Sequence, residues 1–201
     1  MPQTSTPQTT AALTLNLRPL GKLTDKRLYQ LCQANRELRF ERTAQGELLV
    51  MAPTGGKTGR RNSKLIQRLA NWADADGTGL TFDSSTGFIL PNGAMRSPDA
   101  AWVRRSRWEA LTEEQKEKFV PLCPDFVVEL RSATDDLRAL QAKLQEYLDN
   151  GALLGWLIDP EQQRVYVYRP HAPVECLEKV DTITGEPILP GWVLDLREVW
   201  S

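Results

Sequence analysis

Glu129 stands inside Asp125-Phe126-Val127-Val128-Glu129-Leu130, an otherwise apolar run of the kind that forms a strand buried on both faces. A carboxylate there is costly unless it is paired, hydrogen-bonded or bound to a cation. Asp99 is a second acid at a strand start, after Pro98 and before Ala100-Ala101-Trp102-Val103. Brought side by side on adjacent strands, the two carboxylates would offer hard oxygen ligands to a divalent ion such as Mg²⁺ or Mn²⁺. The plainer alternatives are a buried ion pair of Glu129 with Arg131 or Arg138, and a strand-end Asp99 satisfied by backbone amides. Histidine-rich hydrolase designs are excluded, because His171 is the only histidine and lies in the turn Arg169-Pro170-His171-Ala172-Pro173.

The elements that must position these acids are legible from periodicity and turn chemistry. Thr24 is the expected N-cap of a helix over 25–33, with Leu28, Leu31 and Cys32 at helical spacing and Asn35 as its stop. Leu38 and Phe40, then Leu48 to Met51, read as two strands around the turn Thr43-Ala44-Gln45-Gly46. Leu65, Ile66, Leu69, Trp72 and Ala73 predict an amphipathic helix over 57–76. Asn92-Gly93 marks a hairpin between Gly87-Phe88-Ile89-Leu90 and Ala94-Met95. The charged stretch 106–118 predicts a surface helical excursion, and Leu137, Leu140, Leu144, Tyr147 and Leu148 predict a helix over 135–150. Strands over 154–158 and 165–168 follow, and edge strands around Trp192-Val193-Leu194 finish the chain.

The chain has 201 residues, 41% hydrophobic and 25% charged, enough to bury one good-sized core. A tail over 1–15, disordered at least over its Thr-, Gln-, Ser- and Pro-rich first ten residues, and one domain over 16–201 are expected. Formal charge is −1, so any DNA contact must come from a local basic patch. Lys57, Arg60, Arg61, Lys64 and Arg68 share one side of the second helix and could track a phosphate backbone, or could equally form a solvated face. Arg96, with Arg104, Arg105 and Arg107, lies close in sequence to Asp99, and Arg131 can bind phosphate but is a poor base. Cys32, Cys123 and Cys176 suggest neither a disulfide framework nor a zinc knuckle, and a cytoplasmic, membrane-free protein is expected.

Ser97-Pro98-Asp99, Pro124 to Ser132, Lys143-Leu144-Gln145-Glu146-Tyr147 and Gly155-Trp156-Leu157-Ile158-Asp159-Pro160 together resemble the Uma2 (DUF820) family of the PD-(D/E)xK nuclease superfamily. Phe40-Glu41 with Gly46-Glu47-Leu48 falls in register with that family's upstream acid. The resemblance implies a restriction-endonuclease-like α/β core: a central mixed β-sheet flanked by the 57–76 and 135–150 helices, with a hairpin-rich C-terminal portion. It implies Glu41, Asp99, Glu129 and Lys143 as catalytic residues, with Asp99, Glu129 and the Leu130 carbonyl as ligands of Mg²⁺ or Mn²⁺. One departure stands out. The archetypal motif wants lysine two residues after Glu129, and this chain has Arg131 there. The family's lysine matches Lys143 on the following helix, at the margin of that helix's apolar face, where a snorkelling lysine is also routine.

The implied activity is a Mg²⁺- or Mn²⁺-dependent endonuclease hydrolysing DNA phosphodiesters, with Arg131, Arg96, Lys57, Arg60 and Lys64 as substrate-phosphate candidates and a homodimer as the assembly that would cut both strands. The rival readings are a catalytically inactive nucleic-acid-binding or regulatory protein of the same fold, and a hydrolase of another phosphate ester.

Overall fold

A computed structural model describes residues 13–200. Its strands are β1 (Leu13–Leu15), β2 (Arg39–Arg42), β3 (Leu48–Met51), β4 (Gly79–Asp83), β5 (Phe88–Ile89), β6 (Met95–Arg96), β7 (Ala100–Arg104), β8 (Phe126–Leu130), β9 (Leu154–Asp159), β10 (Arg164–Tyr168), β11 (Glu175–Glu178), β12 (Thr182–Thr184) and β13 (Val193–Asp195). Its α-helices are α1 (Asp25–Ala34), α2 (Gly56–Asp76), α3 (Arg105–Glu109), α4 (Glu113–Lys116), α5 (Leu137–Asp149) and α6 (Arg197–Trp200).

The central sheet has six strands in the order β11-β10-β9-β8-β7-β4. It is mixed because β8 and β9 run parallel while the other pairs are antiparallel. A parallel pair needs a crossover, and α5 supplies it. Both faces of this sheet are covered, so β8 and β9 are buried at every position. On one face, Ala100, Trp102, Phe126, Val128, Leu130 and Trp156 pack with Leu65, Leu69 and Ala73 of α2 and with Trp192 and Val199 from the C-terminal segment. On the other, Ala101, Val103, Val127 and Leu157 pack with Leu144 and Tyr147 of α5 and with Phe88, Leu90 and Ala94 of the β5–β6 hairpin. Alternation along β8 therefore puts Glu129 on the α5 face with Val127. Gly155 lets α5 lie close to that face, since a Cβ there would stand 2.7 Å from Leu144 Cδ1.

The sequence reading expected one sheet. The structure has a second, five-stranded one in the order β1-β3-β2-β6-β5, and a small β12–β13 hairpin. The β2–β3 hairpin joins the β5–β6 hairpin through the Arg42↔Met95 pairing and closes its own core of Leu28, Phe40, Leu48 and Met95. The chain passes from this sheet to the central one through Ser97-Pro98-Asp99, where proline has no N–H to give to a ladder. The tail expected over 1–15 lies outside the described residues as far as residue 12. Its last three residues form β1, paired with β3. Among the described residues, no helix is long and apolar enough to cross a membrane.

The helices are set by their caps. Thr24 accepts from the Arg27 N–H at the start of α1, and Asp136 from the Ala139 N–H at the start of α5. The excursion over 106–118 is split into α3 and α4, the second opened by a Thr112–Gln115 capping box.

Candidate active site

Asp99 and Glu129 face each other across the β7–β8 pair. The register Ala100↔Val128, continued by one residue, sets the two carboxylates opposite one another on the α5 side. Asp99 Oδ2 accepts the Leu130 N–H at 2.8 Å, so main chain fixes one acid beside the strand that carries the other. The same logic operates in the second sheet. One step beyond Arg42↔Met95, Glu41 and Arg96 are cross-strand neighbours, and Arg96 Nη1 stands 3.0 Å from Glu41 Oε2. Glu41 Oε1 accepts the Ser97 N–H at 3.0 Å, which ties it to the loop leading into Asp99.

Helix α5 joins the two sheets. Lys143 Nζ lies 2.8 Å from Glu41 Oε1 and 2.8 Å from Glu129 Oε1. One turn further on, Tyr147 donates its hydroxyl to Glu129 Oε1 at 3.2 Å, and Glu146 holds Arg96 Nε at 2.6 Å. The sequence thus places Lys143, Glu146 and Tyr147 on a single side of the helix because residues three and four apart are neighbours.

Electrostatics divides the acids. Burial pushes the Glu129 carboxyl up to about 8 despite Lys143, and the Asp99 and Glu41 charges push the same way. Burial also raises Asp99, against the Leu130 N–H, Lys143 and Arg39. For Glu41 burial is outweighed by Lys143, Arg96 and the Ser97 N–H, which together hold it below the usual carboxylate range. Burial works against the Lys143 ammonium, but Glu129 and Glu41 keep its pKa above that of an ordinary lysine. Four acids, Asp99, Glu129, Glu41 and Glu146, thus meet Lys143, Arg96 and, at the margin, Arg39. With all four ionised the cluster would be one cation short, a deficit that a proton on Glu129 or a bound cation would make good.

The donor set suits a hard cation. Among the described residues, Asp99 Oδ1 and Glu129 Oε2 accept no hydrogen bond, and Leu130, the residue after Glu129 at the end of β8, gives its N–H to Asp99. Glu41 differs, since both of its oxygens are already held by Arg96, Lys143 and Ser97. No group of three or more His, Cys, Asp or Glu side chains among the described residues forms a ready-made metal cage.

The other expected site residues fall elsewhere. Arg96 is buried between Glu41 and Glu146, so it orders the acid cluster instead of facing a substrate phosphate. Arg131 directs Nη1 to the fully buried Asp159 at 2.6 Å and Nε to the Asp135 carbonyl. Glu129 accordingly pairs with Lys143 and not with Arg131 or Arg138. Lys57, Arg60 and Lys64 belong to α2, which covers the face of the central sheet opposite the one that carries Asp99 and Glu129. Arg104 and Arg107 pair with the buried Asp125. Sequence reasoning missed Tyr147 as a partner of Glu129, taking it only as part of an apolar face. Its spacing of four from Lys143 was the available signal.

The sequence over residues 25–197 matches the family described as "Uma2: Putative restriction endonuclease". No curated protein matches the chain. The fold is similar to the crystal structure of "a putative nuclease belonging to DUF820 from Anabaena variabilis ATCC 29413", with a TM-score of 0.68 and 19% identity over 80% of this chain and 89% of that one. With a family match that covers most of the chain, the whole central sheet and every residue of the acid cluster, the chain belongs to the Uma2 family.

Proposed function

We propose that this protein is a Mg²⁺- or Mn²⁺-dependent endonuclease that hydrolyses DNA phosphodiester bonds at the Asp99–Glu129 pair. The observation that carries the reading is the acid pair itself: two facing carboxylates whose ionised forms burial disfavours, each with an oxygen left without a hydrogen-bond donor. Asp99, Glu129 and the Leu130 carbonyl would hold the ion. Bound there, a hard divalent ion supplies Lewis acidity toward phosphate oxygens and an activated water for attack.

The chain's own residues do the rest. Asp99 is oriented by the Leu130 N–H, so its free oxygen is presented without loss of side-chain entropy at the moment of binding. Lys143 stays protonated between Glu41 and Glu129, steadies the ionised form of Glu129, and offsets negative charge that develops on the phosphoryl group. Tyr147 keeps its proton and remains a donor to Glu129, because burial and the neighbouring acids raise its pKa far above the ordinary phenol. Glu41 is a positioning residue. Locked by Arg96 and Ser97, it fixes the ammonium of Lys143 over the pair.

The test is a substrate comparison with the purified chain in Mg²⁺ and in Mn²⁺: end-labelled duplex DNA, duplex RNA of the same sequence, and a small aryl phosphodiester. Hydrolysis of the DNA duplex, competed away by unlabelled duplex and not by mononucleotides, is the expected result. Hydrolysis of the small diester alone would move the activity to another phosphate ester, and retention of DNA without cleavage would make the protein a binder.

A further inference from the structure

Arg39 and Glu41 stand two residues apart on β2, and therefore project from the same side of it. Glu41 points into the acid cluster. Arg39 Nη2 donates to the Ser84 carbonyl at 2.7 Å. Ser84 opens the turn after β4, next to Asp83, which pairs with Ala100, and so lies toward the end of β7 that follows Asp99. The guanidinium is thereby anchored beside Asp99, near enough for its charge to oppose the effect of burial on that carboxyl.

What distinguishes Arg39 from the other cations near the site is how little of it is used. Arg96 and Lys143 each bridge two acids, and Arg131 is committed to Asp159. Arg39 forms no ion pair with any described residue, and among those residues its remaining N–H groups meet no acceptor. It is only half-buried. A guanidinium held by one main-chain carbonyl keeps the rest of its planar fork for a tetrahedral oxyanion, which it can take in two parallel bonds. Leaving Asp99 Oδ1 without a guanidinium bond also keeps that oxygen for a cation.

We propose that Arg39 is an anion-binding residue that grips a phosphate oxygen of the substrate at the margin of the Asp99–Glu129 pair. The choice of a nucleic-acid phosphate as its ligand rests on the nuclease reading, while the anion site itself rests on the geometry of Arg39, Ser84 and Asp99.

The test titrates thymidine 3′,5′-bisphosphate, in Ca²⁺, into the full chain and its Arg39→Gln and Arg39→Lys variants, with a Mn²⁺ titration of all three alongside. Glutamine keeps an amide donor but no charge, and lysine keeps the charge without the fork. Arg39→Gln should bind the bisphosphate about tenfold or more weakly, the scale of a charge-assisted pair. Arg39→Lys should recover part of that loss, and Arg39→Gln, which removes a positive charge near Asp99, should bind Mn²⁺ no more weakly than wild type. Equal bisphosphate affinity in wild type and Arg39→Gln, or no binding by the wild type, overturns the assignment. The nuclease reading is scored separately by duplex cleavage. Phosphate binding that depends on Arg39 in a protein that cuts no DNA upholds the anion site and removes the nuclease.

Discussion

Lys143 Nζ stands 2.8 Å from Glu129 Oε1, and the two residues come from different elements: the lysine from the crossover helix α5, the acid from β8. A lysine two residues after Glu129 would reach the site from the strand itself. Arg131 occupies that place and is bound to Asp159. The positive charge at the acid pair is thus supplied over the top of the sheet, which couples the integrity of the site to the packing of α5.

Lys143→Met tests that coupling. It leaves Glu41 and Glu129 buried without their shared cation, and breaking a buried pair from one side costs about 3 kcal/mol. Urea denaturation of the metal-free protein near neutral pH should show a loss of that order together with loss of cleavage. An unchanged midpoint would mean that the ammonium contributes nothing to the cluster.

Glu129→Gln separates the fold from the site. The substitution removes a carboxyl that burial disfavours while keeping an acceptor for Tyr147, so the metal-free variant should melt at the same temperature as wild type or above it at alkaline pH. Mn²⁺ titration followed by calorimetry should show no binding. Metal affinity equal to wild type would take Glu129 out of the ligand set.

The pH dependence of the metal-free protein has a definite sign. Glu129 is raised to about 8 in the fold from an ordinary 4.5, so its contribution is fully present below about pH 4.5 and is lost as pH rises through about 8. Glu41 is lowered and acts the other way, its contribution being present above the ordinary carboxylate range and lost as pH falls through its folded value. Because a metal ion competes with the proton on Glu129, the rise in melting temperature on adding Mn²⁺ should be larger at about pH 8 than at about pH 6. An equal rise at both would show that Glu129 holds no titrating proton in the fold.

Much of this arrangement is visible in the sequence, and the missing part has a physical cause. Glu129 stands out because an acid between Phe126-Val127-Val128 and Leu130 violates the pattern of a buried strand, and Asp99 because Pro98 breaks a ladder just before an apolar run. Arg96 and Arg131 carry no such signal. Each is an arginine near a candidate acid, and only the pairing of β2 with β6 and of β8 with β9 decides that one is clamped by Glu41 and Glu146 and the other by Asp159. The second sheet was hidden for the same reason, since β2–β3 reads as a hairpin whichever sheet it joins.

Arg131→Met checks the structural role that this pairing gives to the arginine. It strands the Asp159 carboxylate, which among the described residues keeps only the N–H bonds of Glu161 and Gln162, at a cost of about 2 kcal/mol. Chemical denaturation should register that loss while Mn²⁺ affinity stays at the wild-type value. A collapse of metal binding without a change in stability would place Arg131 in the site.

The most direct measurement is relaxation of supercoiled plasmid by the wild type and by Asp99→Asn, purified identically, each in Mn²⁺, in Mg²⁺ and with chelator. Ion-dependent nicking that disappears in Asp99→Asn is the expected result, because the variant keeps an acceptor for the Leu130 N–H and loses the charge of the ligand. Equal relaxation by the two proteins, or relaxation that survives the chelator, would contradict a metal-dependent centre at Asp99 and Glu129.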